Sequence, residues 1–146
     1  MYRHPDAPNF ASFAAALKAG NPDAIIAFNP GVYVPVRSHW EEEEFTAGEL
    51  SGDLPVGAFG YGDNAVYCNF GPIRDTVNGA QFHVLCFLGD WWLHGAPRFP
   101  DELVVGYTRY IVQHGGVVTW DVPITPDGSI PDAFVRQLGK VGAAVR

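Results

Sequence analysis

No apolar stretch in the 146-residue chain approaches the roughly 20 residues needed to cross a bilayer, so no membrane-spanning helix is expected. The amino end, Met1-Tyr2-Arg3-His4-Pro5-Asp6, lacks an apolar run behind a basic cap, which argues against a signal peptide and, with Met1 as the natural start, for the cytoplasm. Basic residues are scarce: nine Lys and Arg stand against sixteen Asp and Glu, for a net charge of −7 and a pI near 5.0, with no basic cluster. Such a surface repels phosphate backbones, which argues against nucleic acid as a partner. Cysteine is nearly absent. Cys68 and Cys86 sit in apolar or mixed runs and read as buried free thiols, a disulfide being the alternative. There is no P-loop, GxGxxG, GxSxG or CxxC, so nucleotide binding, serine hydrolysis and dithiol chemistry lose their usual support. The five histidines, His4, His39, His83, His94 and His114, show no metal-ligand spacing, and neither a metal nor a cofactor is expected.

What the chain does have is 47% apolar residues, 14% aromatics, 17 glycines and 12 prolines, the composition of an ordered, loop-rich protein. Its length suits a single domain over 1–146. Asn9 can cap a helix with Phe10, Phe13, Ala14 and Leu17 on one face, stopped at Gly20-Asn21-Pro22-Asp23. Ala24-Ile25-Ile26-Ala27-Phe28 then reads as a strand buried on both faces. Residues 29–80 form a long irregular segment, with one plausible strand at Ala65–Phe70. Regularity returns with a strand at Gln81–Leu88 and a helix from about Pro100, with Leu103, Tyr107, Tyr110, Ile111 and His114 inward, stopped by Gly115-Gly116. A strand at Val117–Val122 and a last helix follow, the helix carrying Phe134, Leu138, Val141 and Val145 on one side. Alternating strands and helices imply an α/β fold with a parallel sheet and right-handed crossovers.

Working residues of parallel α/β folds gather at the carboxyl ends of strands. Three ends are visible: Asn29, then Asp90-Trp91-Trp92-Leu93-His94, then Asp121. The middle one combines a carboxylate, two indoles and an imidazole, the means to stack a sugar face and bind its hydroxyls. Set against this, one Trp could be core, and Asp121 could simply cap the loop before Pro123. Glu41 to Glu44 read as a solvated acidic face. Glu49, beside Gly48, is the candidate catalytic carboxylate, although a lone loop glutamate is more often structural.

The run from Tyr110 through Gly115-Gly116, Thr119-Trp120-Asp121-Val122-Pro123 and Asp127-Gly128-Ser129-Ile130-Pro131 resembles the end of the catalytic barrel of α-L-fucosidases. Leu88-Gly89-Asp90-Trp91-Trp92 before Phe99-Pro100-Asp101-Glu102 resembles the preceding βα unit, and Phe45-Thr46-Ala47-Gly48-Glu49 a loop of fucosidase-like proteins. The resemblance implies a partial, half (β/α) barrel of TIM type with three to four parallel strands, and a retaining hydrolase chemistry using an Asp nucleophile and a separate acid/base. A whole barrel needs about 250 residues, and no counterpart of the nucleophile-bearing strand precedes Ala24, so the catalytic pair is expected to be incomplete. Three outcomes follow: a half barrel keeping part of a sugar site, a non-enzymatic carbohydrate-binding or interaction module, or a homodimer that rebuilds a barrel. In that dimer the uncovered inward sheet face would come from residues such as Ile25, Val84, Cys86, Val118 and Trp120, whichever of each alternating set points inward.

Overall fold

The computed structural model describes residues 10–33, 36–50, 54, 76–77 and 79–146. In chain order these form helix α1 (Ala11–Lys18), strands β1 (Thr76–Val77), β2 (Ala80–Gln81) and β3 (His83–Phe87), helix α2 (Asp101–Gln113), strand β4 (Val117–Asp121) and helix α3 (Asp132–Ala144). β1 and β2 make a short antiparallel hairpin, while β3 and β4 pair in parallel from His83↔Val117 to Phe87↔Asp121. The architecture is mixed α/β with a small parallel sheet.

The β3–α2–β4–α3 half folds for the reasons its residues suggest. Pro100 presets an extended entry to α2, and Asp101 and Glu102 sit where the helix dipole favours acids. Past the helix end at Gln113 come Gly115, at φ 81°, and Gly116, where an added Cβ would come within 2.7 Å of Ile111. Gly115-Gly116 thus turns the chain straight into β4. The start of α2 is tied to the middle of α3, since Gln137 Nε2 donates to Phe99 O (2.9 Å) and Asp101 Oδ1 (3.0 Å), and Lys140 pairs with Asp101.

Expected and observed inward faces differ. On α2 the buried residues are Val104, Tyr107, Thr108 and Ile111, whereas Tyr110 and His114 are exposed; the face is rotated because Val104, not Leu103, meets α3. On α3, Phe134, Gln137 and Val141 are buried, Leu138 is partly buried and Val145 exposed. On α1 only Ala14 is buried, with Phe13 and Leu17 exposed; Phe10 starts that helix at φ 56°, and Asn9 lies outside the described residues.

Ala24–Phe28 is not a ladder strand. It is an extended segment whose amides are taken by side chains: Ile26 N donates to Glu44 Oε2 (2.9 Å) and Phe28 N to Glu43 Oε1 (3.1 Å), while Glu44 N donates to Ile26 O (2.8 Å). Nor is it buried on both faces, since Ile26 is buried but Ile25 is 70% exposed. The acidic run is correspondingly not one solvated face. Glu43 is buried, and its Oε2 also accepts His39 N and Trp40 N. Glu44 pairs with Lys18 Nζ at 2.9 Å, and that hydrogen bond holds its carboxyl below the usual range. The strand expected at Ala65–Phe70 lies outside the described residues.

Within the segment expected to be irregular, a strand-like stretch runs beside β3. Phe45 bridges Gln81 and Glu49 bridges Leu85, both in parallel. The bonds Gln81 N→Glu44 O, Thr46 N→Gln81 O, Leu85 N→Gly48 O and Leu50 N→Leu85 O, all 2.9 Å, form a ladder with one gap. At the gap the Thr46 hydroxyl substitutes for backbone, accepting from His83 N (2.9 Å) and donating to His83 O (2.7 Å). In space the order is therefore 24–28, 44–50, β3, β4, with a regular ladder only between the last two rather than across three or four strands.

One face of this arrangement is packed by helices. Phe82, Val84 and Cys86 meet Tyr107 and Ile111, joined by Val36, Leu50 and Leu54, with Val118 and Trp120 against them. Leu88, Val104, Phe134 and Val141 form the adjoining cluster. Full burial of one such side chain is worth about 1.5–3 kcal/mol. Among the described residues no helix packs on the opposite face, where Ile25, Phe45, Gln81, His83, Val117 and Thr119 line a shallow cavity of about 210 Å³. Of the five residues considered for an open inward face, only Ile25 lies there; Val84, Cys86, Val118 and Trp120 face the helices.

Candidate functional site

Parallel pairing puts bridged residues on the same side of a sheet, and side chains alternate along each strand. Glu49, Leu85 and Thr119 thus share the open face, and two residues further along so do Phe87 and Asp121. Strand spacing and rise place the Glu49 and Asp121 Cα atoms roughly 12 Å apart. Both carboxylates stand at the carboxyl ends of their strands.

Glu49 is positioned by Asn29, whose Nδ2 donates to Glu49 Oε2 at 2.5 Å while its Oδ1 accepts from Gly31 N at 2.8 Å. The side-chain amide is therefore fixed at both ends. Gly48, at φ 62°, lets the chain lie against β3, because a Cβ there would fall 1.9 Å from His83 O. The slot beside Glu49, lined by Tyr33, Val36, Arg37 and His39 among others, holds only about 10 Å³, room for a water rather than a sugar ring.

The second group is carried by the loop after β3. His94 N bonds Trp91 O (3.1 Å), closing a tight turn in which Leu93 adopts φ 60°, unusual for a branched residue. That strained turn is held from β4: Asp121 Oδ2 accepts Leu93 N at 2.9 Å. Gly89 is required beneath it, since a Cβ would lie 1.8 Å from His94 O. Trp92 packs on Phe87 (centroids 4.9 Å) and is half-buried, whereas Trp91 is 56% exposed. Asp90 and His94 are exposed. Asp90, Trp91, Trp92, His94 and Asp121 thus come together at one end of the sheet, and Asn29 and Glu49 form a separate pair at the same end.

Three further residues support this end of the sheet, of which Arg98 gave no sequence signal. Arg98 lies between Phe87 and Phe99, 4.1 Å from each ring centroid, and its Nη2 donates to Phe87 O (3.1 Å) and Cys86 Sγ (3.4 Å). Cys86 is a buried free thiol whose pKa burial pushes up; Cys68 lies outside the described residues. His83 is buried on the open side, with Nδ1 donating to Thr46 O (2.8 Å) and Nε2 accepting from the Thr119 hydroxyl (2.8 Å), as the acceptor-only carbonyl requires of a neutral ring. Burial lowers its pKa. Among the described residues no three of His, Cys, Asp and Glu gather to hold a metal ion, and no helix is long and apolar enough to cross a membrane.

No family model and no curated protein matches the sequence. Two solved structures are similar to it. One is the endo-fucoidan hydrolase MfFcnA4 from glycoside hydrolase family 107, at 24% identity over 90% of this chain, with a TM-score of 0.65. The other is a substituted form of that enzyme, at 22% identity over 94% of this chain, with a TM-score of 0.69. The chain spans 22–24% of the length of those proteins. It folds like a fragment of a glycoside hydrolase domain.

Proposed function

We propose that the chain is a glycoside-hydrolase-like unit, half a (β/α) barrel in plan, that carries part of a sugar site and is catalytically incomplete alone. One observation carries this: Asn29, Glu49, the Asp90–His94 turn and Asp121 occupy the carboxyl ends of four successive extended segments, where parallel α/β folds keep their ligand sites. Trp91 offers the stacking surface, and Asp121 holds the turn that presents it. Glu49 serves as the candidate carboxylate of the incomplete catalytic pair. The spatial order 24–28, 44–50, β3, β4 supports the half-barrel plan, and the fucosidase-like motifs at 45–49, 88–92 and 110–131 support an α-L-fucose-containing ligand, in keeping with the fucoidan named for the two neighbours.

Tryptophan fluorescence titration with fucoidan oligosaccharides, and with malto-oligosaccharides as control, tests it. A saturable change is expected with the former only, and Trp91→Ala should weaken binding about tenfold, roughly 1.4 kcal/mol. An aryl α-L-fucoside should not be hydrolysed by the chain alone. Absence of saturable binding, or equal binding by Trp91→Ala, would sink the proposal.

A further inference from the structure

Among the described residues the sheet has two open edges. Ile26 and Phe28 turn their backbone groups toward Glu43 and Glu44, which leaves those of Ile25 and Ala27 pointing away from the sheet. At the far side Val117, Thr119 and Asp121 pair with β3, as Val117 N→Phe82 O and Leu88 N→Asp121 O show, so Val118 and Trp120 turn theirs outward. Among the described residues neither outward set has a backbone partner. Between the two edges lies the face of Ile25, Phe45, Val117 and Thr119, with Ile25 70% and Val117 42% exposed. Two edges without backbone partners among the described residues, flanking a partly apolar and exposed face, are a surface that another strand pair can satisfy.

We propose that a second copy of this chain covers that face and pairs with both edges, the Ile25–Ala27 edge of each protomer meeting the partner's β4 edge around a two-fold axis. The two edges of one chain lie on opposite sides of the same face, so one rotation satisfies all four at once and closes the sheet. Helices cover the other face of each protomer and would form the outside of the pair. Four extended segments about 4.8 Å apart and roughly 17 Å long give the face about 300 Å² in plan per protomer, and the side chains standing on it and the two paired edges add to that area toward the ~800 Å² per partner of a standard interface. The strand ends carrying Glu49 and Asp121 in both copies would then surround one mouth, completing from two chains a site that one chain leaves half built. The dimer stands on the edges and the open face alone and does not depend on sugar binding.

Light scattering of the purified chain at micromolar concentration is the test, with an expected mass of about twice 15.9 kDa. A mass near 15.9 kDa would overturn the proposal. Val118→Pro removes an outward N–H that β3 does not use, and should yield a monomer with an unchanged circular dichroism spectrum. Should that variant not fold, Ile25→Lys, on the exposed face and without a side-chain hydrogen bond, replaces it with the same expectation. A folded variant of either kind that keeps the doubled mass would show that these edges and this face are not the interface.

Discussion

The two halves of the molecule are held together by different chemistry. Residues 82–144 are joined by a backbone ladder and apolar packing, with Phe82, Val84, Ile111 and Phe134 fully buried. Residues 24–50 are joined largely through polar side chains: Glu43 gathers the amides of Phe28, His39 and Trp40, Glu44 that of Ile26, and the Thr46 hydroxyl replaces a ladder bond. A ladder with a core tolerates loss of any one polar group. A clamp built from single carboxylates does not, since removing one acceptor strands several amides at once.

Three experiments would break or sharpen that contrast. The largest effect is expected in the packed half. Phe134→Ala should cost about 3–5 kcal/mol in urea unfolding, through lost burial and the cavity left behind; a loss below about 1 kcal/mol would mean that α3 contributes little to the core.

Glu43→Gln should cost less overall, roughly 2 kcal/mol, because the amide oxygen can keep some but not all of the three bonds and lacks the charge that strengthens them. Its signature is local. Hydrogen exchange should rise at 26–40 while the amides of β3 and α2 stay protected, and a uniform rise would refute two distinct modes of cohesion.

The smallest effect joins the halves. His83, between Thr46 and Thr119, has its pKa lowered by burial, so the unfolded chain takes up a proton at higher pH than the folded one. Stability should therefore be full above the unfolded value of about 6.5 and fall as pH drops below it. In His83→Gln this part of the pH dependence should vanish; an unchanged profile between pH 7 and 5 would exclude His83 as its source.

The contrast also explains what could be read from the residues alone. α2, β4 and α3 were legible because their apolar residues recur at helical or strand spacing, and Gly115-Gly116, Pro100 and Pro131 mark their ends. The rotated α2 face was not, since Leu103 and Val104 are equally apolar and only the position of α3 chooses between them. Ala24–Phe28 misleads in the same way: five apolar residues look doubly buried, yet no pattern shows that Ile25 faces an open side. Glu43 was indistinguishable from Glu41, Glu42 and Glu44 in an acidic run, because its partners lie at Phe28, His39 and Trp40 and are brought to it by folding. At the site, the turn at Asp90–His94 was visible as a cluster of chemistry. The bond from Asn29 to Glu49 spans a gap of 20 residues and left no local trace.

The loop after β3 is closed at its base. Arg98 N bonds Leu88 O at 3.0 Å, Leu88 N bonds Asp121 O at 2.9 Å, and the Arg98 guanidinium is wedged between two phenyl rings at that point. The frame therefore ends where the loop begins, and residues 89–97 hang from it as a nearly self-contained insert. Such a loop can be exchanged, lengthened or diversified with little disturbance to the fold beneath it, provided that Leu88, Arg98 and Asp121 are kept. For protein engineering this makes 89–97 the natural place to graft a new sequence, and in evolution the place where residues can drift while the scaffold stays the same.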